Sequence, residues 1–491
     1  MSSTLDRLRR LQELRPQRTR PEPEAPPPPG EVDPAPQSPT GQPTGVTRLE
    51  TLVPGEIIEN SGGICYLRTQ TYPLHMARGQ RPLGDLLAQH PMTFAPLHPN
   101  FGLHDAVDFR QAAFIDTETT GLGGGAGVYC FMVGVGTFEC GVRSAECGIQ
   151  GPEGAPAGGI QPDNPAVSPV SLSPCLPVSS SPTHFVVRQF FMRNPAEEGA
   201  LMFALAELLE RYEMSVTFNG RAFDLPLLRT RLQQNQRMYP DLRGSARLLG
   251  ADRPHLDLLQ PARRLWKRRL QSCRLINLEQ MILGLQRNED DVPGHLIPLL
   301  YTDYMRTGNA QEMRRVFYHN GEDIISMVAL AEHLSRTFDQ PDADQATPLP
   351  GLDWLALGHM YEKLAQWAQA EAAYRQALET LREPAAQADA YHHLAQLQKR
   401  QRQWQAAAEV WQRWLTSVPG NDPTPYIELA KYCEWQSNDL EQAEMWTGWA
   451  LHNLRKTPLH QRVPGQIEAL EHRLQRLQRK RQAPTAPTGQ G

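Results

Sequence analysis

The stretch Gln111-Ala112-Ala113-Phe114-Ile115-Asp116-Thr117-Glu118-Thr119-Thr120-Gly121-Leu122 decides how the chain is read. Its opening, QAAFID, is a short apolar run, and the glycine-rich turn GLGGGAG (121–127) follows the acidic residues, so the run reads as a buried strand ending at Asp116. In a strand, residues two apart share a face, so Asp116 and Glu118 can present both carboxylates to one site. Two unpaired carboxylates about 4 Å apart repel by about 4 kcal/mol at an effective dielectric of 20, which favours a divalent cation between them. Hard oxygen ligands point to magnesium or manganese.

Working outward, VYCFMVGVGTF (128–138) reads as the hairpin neighbour of that strand and HFVVRQFFM (184–192) as a third strand. Between them, 141–183 is rich in Gly, Pro and Ser and is expected to be a disordered insertion. A helix over about 197–212, a strand at 214–218, a helix from about 223, a short strand at 255–258 and helices to about 336 complete the pattern. Hairpin strands followed by alternating strand and helix predict a mixed α/β sheet covered by helices. Upstream, EIIEN (56–60) and GICYLRTQ (63–70) are strand-like and carry no assignable chemistry. The expected organisation is a disordered Pro-rich segment over 1–45, a sheet domain over 46–338, a linker at 339–351, helical repeats over 352–457, a basic capping helix over 458–482 and a disordered tail at 483–491.

Composition narrows the class. The chain has 491 residues, 40% apolar and 21% charged, enough for two folded domains, and eleven of its 43 prolines fall within 1–45. Leu5, Leu8, Leu11 and Leu14 have helical spacing, but a helix this short is marginal alone. A net charge of −5 gives no general attraction to nucleic acid, so any such contact needs a local basic surface. Seven cysteines, odd in number and without a Cys-x-x-Cys pair, disfavour a zinc site or a disulfide framework and fit a reducing compartment. The N-terminus lacks the apolar core of a signal peptide, and no apolar run is long enough to span a bilayer, so a cytoplasmic location without membrane contact is expected.

Two further motifs follow in order: Phe218-Asn219-Gly220-Arg221-Ala222-Phe223-Asp224, after a strand, and Tyr318-His319-Asn320-Gly321-Glu322-Asp323, opening a helix that continues through IISMVALAEHL. With Asp116-Thr117-Glu118, these segments resemble the three motifs of the DEDD, or DnaQ-like, exonuclease superfamily. Together with HLDLLQPARRLW (255–266) they most resemble its YprB-type ribonuclease-H-like branch, over about residues 50–337. That resemblance implies a ribonuclease-H-like fold and a metal-dependent nuclease, a 3'-5' exonuclease on single-stranded DNA or RNA ends. It also implies two divalent cations, Mg2+ or Mn2+, held by Asp116, Glu118, Asp224 and Asp323. One cation would lower the pKa of an attacking water and the other stabilise the leaving oxygen.

The superfamily places a histidine five residues, or a tyrosine four residues, before the last aspartate. Here the pair is exchanged, with His319 at minus four and Tyr318 at minus five. Minus four returns close to the face of Asp323 on a helix, and imidazole titrates nearer the working pH, so His319 is the expected base; a helix-capping histidine is the plainer alternative. Phe218 and Asn219 can contact the substrate end, although Asn-Gly is also simply a turn. Arg263, Arg264, Lys267, Arg268, Arg269 and Arg274 surround Leu265, Trp266 and Leu270 with no acid among them, which suits phosphate tracking as well as a merely solvated face. Asp257 reads as a structural acid rather than a fifth ligand.

The C-terminal third is repetitive. Trp354, Leu357, Gly358, Tyr361, Ala370, Tyr374 and Ala377 match the tetratricopeptide spacing, as do Tyr391, Leu394, Ala395, Ala407, Trp411 and Pro419, and, more weakly, Tyr426, Leu429, Ala430, Ala443 and Ala450. The resemblance implies an all-α tetratricopeptide solenoid that binds a protein, with His359, Lys363, Gln396 and Lys399 on its concave face. Ile467, Leu470, Leu474 and Leu477 line one face of a final capping helix. The polar linker predicts that the repeats can be removed without loss of basal activity. A non-catalytic nucleic-acid-binding scaffold and an endonuclease on the same fold are the competing readings; the intact four acids argue against the first.

Overall fold

The computed structural model describes residues 47–97, 102–104, 106–121, 127–140, 181–341, 348–458 and 463–482. The expectations for 1–45, for nearly all of the 141–183 insertion, for the middle of the linker and for the 483–491 tail lie outside the described residues.

A seven-stranded mixed sheet forms the first part. Its strands are β1 (Glu56–Asn60), β2 (Gly63–Pro73), β5 (Ala112–Thr119), β6 (Cys130–Glu139), β7 (His184–Phe191), β8 (Met214–Thr217) and β9 (His255–Asp257), in the order β1-β2-β7-β6-β5-β8-β9. A two-stranded ribbon, β3 (Ala77–Arg78) and β4 (Arg81–Pro82), stands apart. β5 pairs antiparallel with β6 and parallel with β8, so the strand bearing the first motif lies inside the sheet. The strand-like runs at 56–70 extend the sheet as a hairpin on β7.

The longer helices are α1 (Glu198–Leu209), α2 (Asp224–Met238), α3 (Leu259–Trp266), α4 (Ile297–Thr307) and α5 (Met313–Asp339). Alternation along β5 feeds two cores: Phe114 joins one with Val187, Val216 and Ile324, while Ala113 and Ile115 join the other with Phe131, Leu205 and Leu228. The third motif does not open its helix, as the sequence suggested. α5 begins at Met313 because Met313, Val316 and Phe317 extend the buried helical period upstream. His319 is therefore in a helix interior, which removes the capping alternative.

Six helices follow in antiparallel pairs: α6 (Gly351–Lys363) with α7 (Trp367–Thr380), α8 (Pro384–Arg400) with α9 (Trp404–Ser417), and α10 (Thr424–Trp435) with α11 (Leu440–Lys456). Gly358 permits the first pairing, since a Cβ there would lie 2.5 Å from the Tyr374 ring. The last helix, α12 (Gln466–Gln482), packs on α11 through Leu470. It also surrounds the buried Glu434 carboxylate with Arg473, Arg476 and Lys480.

The repeats pack against the sheet domain rather than standing apart from it. One apolar core runs without interruption from Phe114, Trp266 and Phe338 to Trp354, Leu355 and onward to Trp411. Arg269 forms a two-pronged ion pair with the buried Asp353 at 2.7 and 2.8 Å, and the Tyr361 hydroxyl donates to Phe338 O at 2.6 Å. The linker's polarity concealed this because the contacts lie in the helices that flank it.

Candidate active site

Close approach of α5 to the sheet creates the site. Gly134 stands opposite Asp116 in the β5–β6 register, and a Cβ on it would lie 2.2 Å from Asn320 Oδ1 and 2.4 Å from Ile324 Cδ1. Only a residue without a side chain lets the helix lie this near the strand. Asn320 Nδ2 donates to Asp116 Oδ2 at 2.8 Å, so the third motif grips the first. The amide is itself fixed: its Oδ1 accepts from Gln189 Nε2 at 2.9 Å, and Gln189 Oε1 accepts from Arg68 Nη1 at 3.1 Å. Gln189 Nε2 also donates to Phe317 O at 2.7 Å. Asn320 and Gln189 are fully buried, where an unmatched amide would cost about 1–3 kcal/mol.

The second motif arrives by a turn. Asn219 adopts a left-handed conformation (φ 69°), and a Cβ on Gly220 would lie 2.5 Å from Thr217 Cβ, so the Asn-Gly pair is a tight turn. Asp257 stabilises it, accepting from Asn219 N at 2.8 Å, Arg221 N at 3.2 Å and Leu259 N at 3.1 Å. That is the structural role expected of Asp257. The turn delivers Asp224 to the first residue of α2, where the Thr117 hydroxyl donates to its Oδ1.

Around the third motif the structure adds residues that sequence reasoning did not single out. Arg287 bonds Glu279 with Nε and Nη2, both at 2.7 Å, and its Nη2 also donates to Asp323 Oδ1. Asp291 Oδ1 lies 2.7 Å from His319 Nδ1, while His319 Nε2 lies 3.8 Å from Asp323 Oδ2. Tyr318 turns away, its hydroxyl accepting from Asn288 N at 3.4 Å. Arg287, Glu279 and Asp291 have no motif to mark them; Asn320 stood within the third motif without an assigned role, and Gln189 was only a polar residue in a strand.

The electrostatics follow from this crowding. Burial, with Asp323 and Asp224 nearby, raises the pKa of Asp116 well above the ordinary carboxyl range. Burial and the charges of Asp116, Asp323 and Asp224 do the same to Glu118. Asp224 is pushed up to about 6 by burial, against the Thr117 hydrogen bond that favours its charged form. Burial would depress the His319 imidazole, but Asp323 and the bond to Asp291 outweigh it and raise its pKa. Arg287, despite burial, is held charged by Asp323 and Glu279.

The four acids thus act on one another electrostatically. They are not a closed ligand cage: among the described residues, the group of three metal-ligating types whose atoms all lie within 4.8 Å is elsewhere, at His359, Asp389 and His393.

Beside the turn, Phe218, Asn219, Arg263, Lys267 and Arg274 line one cavity of about 700 Å3. Phe223, next to Asp224, is 56% exposed. The basic run is not uncompensated, however. Arg268 Nη1 bonds Asp389 Oδ2 at 2.6 Å and Arg269 bonds Asp353, so these two cations dock the repeats, and Arg264 lines a separate cavity with His359 and Lys363. The compensating acids come from more than 80 residues away in sequence, as Arg269–Asp353 shows at a separation of 84.

A ribonuclease H superfamily model matches residues 170–335, and a tetratricopeptide repeat model matches 354–388. The chain carries a ribonuclease H superfamily domain followed by tetratricopeptide repeats. The superfamily match takes in Asp224, His319 and Asp323; Asp116 and Glu118 precede it and are placed in the same sheet by the pairing of β5 with β6 and β8. Among individual proteins, the chain is similar to the uncharacterized protein YprB of Bacillus subtilis (strain 168). The two are 28% identical over 387 residues, 77% of this chain and 78% of that one.

Proposed function

We propose that the chain is a metal-dependent nuclease, a 3'-5' exonuclease hydrolysing phosphodiester bonds at single-stranded DNA or RNA ends. The observation that carries this reading is the Asn320–Asp116 bond: it unites the motifs on β5 and α5 beside carboxyl groups whose charged forms disfavour one another. Such a donor set fits hard divalent cations, Mg2+ or Mn2+, and Asp116, Glu118, Asp224 and Asp323 would hold them. When bound, two such cations supply Lewis acidity and charge stabilisation for in-line attack on phosphorus.

The protein's own groups do the rest. Asp291 fixes the His319 ring through Nδ1, leaving Nε2 on the Asp323 side to take the proton of an attacking water. Phe223 offers an exposed ring for stacking the terminal base, and Arg263, Lys267 and Arg274 offer cations to the backbone in the adjoining cavity. The repeats recruit a protein.

One observation favours a second reading, a non-catalytic nucleic-acid-binding scaffold: Arg287 already supplies positive charge to Asp323. End-labelled DNA and RNA strands incubated with purified protein and Mg2+ or Mn2+ separate the two. Stepwise shortening to nucleoside monophosphates supports the exonuclease, internal cuts support an endonuclease, and binding without cleavage supports the scaffold.

A further inference from the structure

Outside the site above, α6 and α8 bring three metal-ligating side chains together. His359 on α6 and Asp389 and His393, one turn apart on α8, bring one ligand atom each to within 4.8 Å of the others. His359 Nε2 lies 3.5 Å and His393 Nε2 lies 3.4 Å from the same atom, Asp389 Oδ1. These separations are long for charge-assisted hydrogen bonds, which run about 2.7–2.9 Å. They match the edge of a tetrahedron: ligands about 2.0–2.1 Å from a central zinc ion would stand roughly 3.3–3.4 Å apart.

The surroundings prepare each ligand. His393 Nδ1 bonds Glu362 Oε2 at 2.7 Å, which places the proton on Nδ1 and turns the Nε2 lone pair inward. Glu362 is fixed in turn by the Tyr374 hydroxyl at 2.9 Å and Arg400 at 2.9 Å. His359 Nε2 is buried and finds no hydrogen-bond partner among the described residues. Asp389 commits Oδ2 to Arg268 at 2.6 Å and keeps Oδ1 for the centre.

We propose that His359, Asp389 and His393 form a zinc site in the first two repeats, separate from the four acids of the nuclease-like region. Two imidazoles and one carboxylate suit Zn2+ in chemistry and number, and a cavity of about 470 Å3 lined by His359, Glu362, Lys363, His393 and Arg400 leaves room for a water as fourth ligand. Such an ion would join α6 to α8, and Arg268, two residues past the end of α3, ties Asp389 to the nuclease-like region.

The test is metal binding by the full chain, independent of catalysis. Zn2+ affinity is measured by competition with a chromophoric chelator in excess Mg2+, and Co2+ is titrated in Zn2+-free protein as a spectroscopic probe. The wild type is expected to bind one more Zn2+ per chain than His359→Ala/His393→Ala, and to give an intense tetrahedral Co2+ band that the double variant lacks. Glu362→Gln should weaken Zn2+ binding roughly 10–100-fold while leaving all three ligands in place. Circular dichroism checks each variant's fold, and Asp389→Asn carries the test if the double variant is misfolded. Equal Zn2+ stoichiometry and affinity in wild type, Asp389→Asn and Glu362→Gln, with no tetrahedral Co2+ band in the wild type, overturns the proposal.

Discussion

Asn320 Nδ2 donates to Asp116 Oδ2 at 2.8 Å, binding residues 204 positions apart in sequence into one unit. The bond depends on the gap above Gly134. Gly134→Ala puts a Cβ where Asn320 Oδ1 now lies, and α5 must shift. Overpacking of this kind costs about 1–3 kcal/mol. The expected outcome is a lower urea midpoint together with a loss of activity larger than the stability change explains. A variant with wild-type stability and turnover would show that the close approach of helix and strand is not required.

His319→Ala is expected to reduce kcat about a hundredfold or more, with divalent-cation affinity nearly unchanged. Asp291→Asn should reduce it less, because it loosens the imidazole without removing it. Tyr318→Phe should leave kcat near the wild-type value, since the hydroxyl points to Asn288 N. Single-turnover rates decide the ranking; a larger effect at Tyr318 than at His319 assigns the base to the tyrosine.

The raised carboxyl pKa values give metal binding a direction in pH. With Asp224 at about 6, and Asp116 and Glu118 also raised, these groups hold protons in the metal-free protein that cation binding must displace. Apparent Mn2+ affinity should fall as pH drops through about 6. The same shift acts on stability. A carboxyl whose folded pKa lies above its unfolded value contributes stability that is present at low pH and lost as pH rises, for Asp224 between about 4 and 6. Metal-free Asp116→Asn should therefore be more stable than wild type at pH 8. Calorimetry in two buffers of different ionisation enthalpy reads the protons released; an affinity that does not change between about pH 5 and pH 8 contradicts the account.

Much of this was legible in the sequence, for physical reasons. β5, β6 and β7 are largely buried apolar runs; the first motif lies in the last residues of β5, which runs on to Thr119 past the end expected at Asp116, and the second follows β8 through a tight turn. The repeats show themselves by small residues at fixed spacing, Gly358 against Tyr374 being the clearest. What stayed hidden depends on contacts between distant segments. Arg287 looks like any surface arginine until Glu279 and Asp323 are seen beside it, and Arg268 looks like a phosphate contact until Asp389 arrives from the second repeat. α5 starts before the third motif because Met313, Val316 and Phe317 carry its buried face upstream, and Asn320, within the helix, bonds Asp116 and Gln189.

The continuous core changes what truncation should do. Ending the chain at about residue 345 removes Trp354 and Leu355 from a core that includes Trp266 and Phe338, and leaves Arg269 without Asp353. The expected product is aggregation-prone rather than a free nuclease domain. Asp353→Ala alone should cost about 2 kcal/mol, the scale of a charged hydrogen bond. A soluble, cooperatively folding 1–345 fragment would show that the repeats are separable after all.

Nuclease action at the four acids is tested by the degradation of end-labelled single strands by wild type and by Asp116→Asn, in Mg2+ and in Mn2+. Stepwise 3'-5' shortening is expected of the wild type, none without the cation, and a rate at background for a folded Asp116→Asn protein. Degradation by Asp116→Asn at the wild-type rate, or binding of strands by the wild type with no cleavage in either cation, would contradict it.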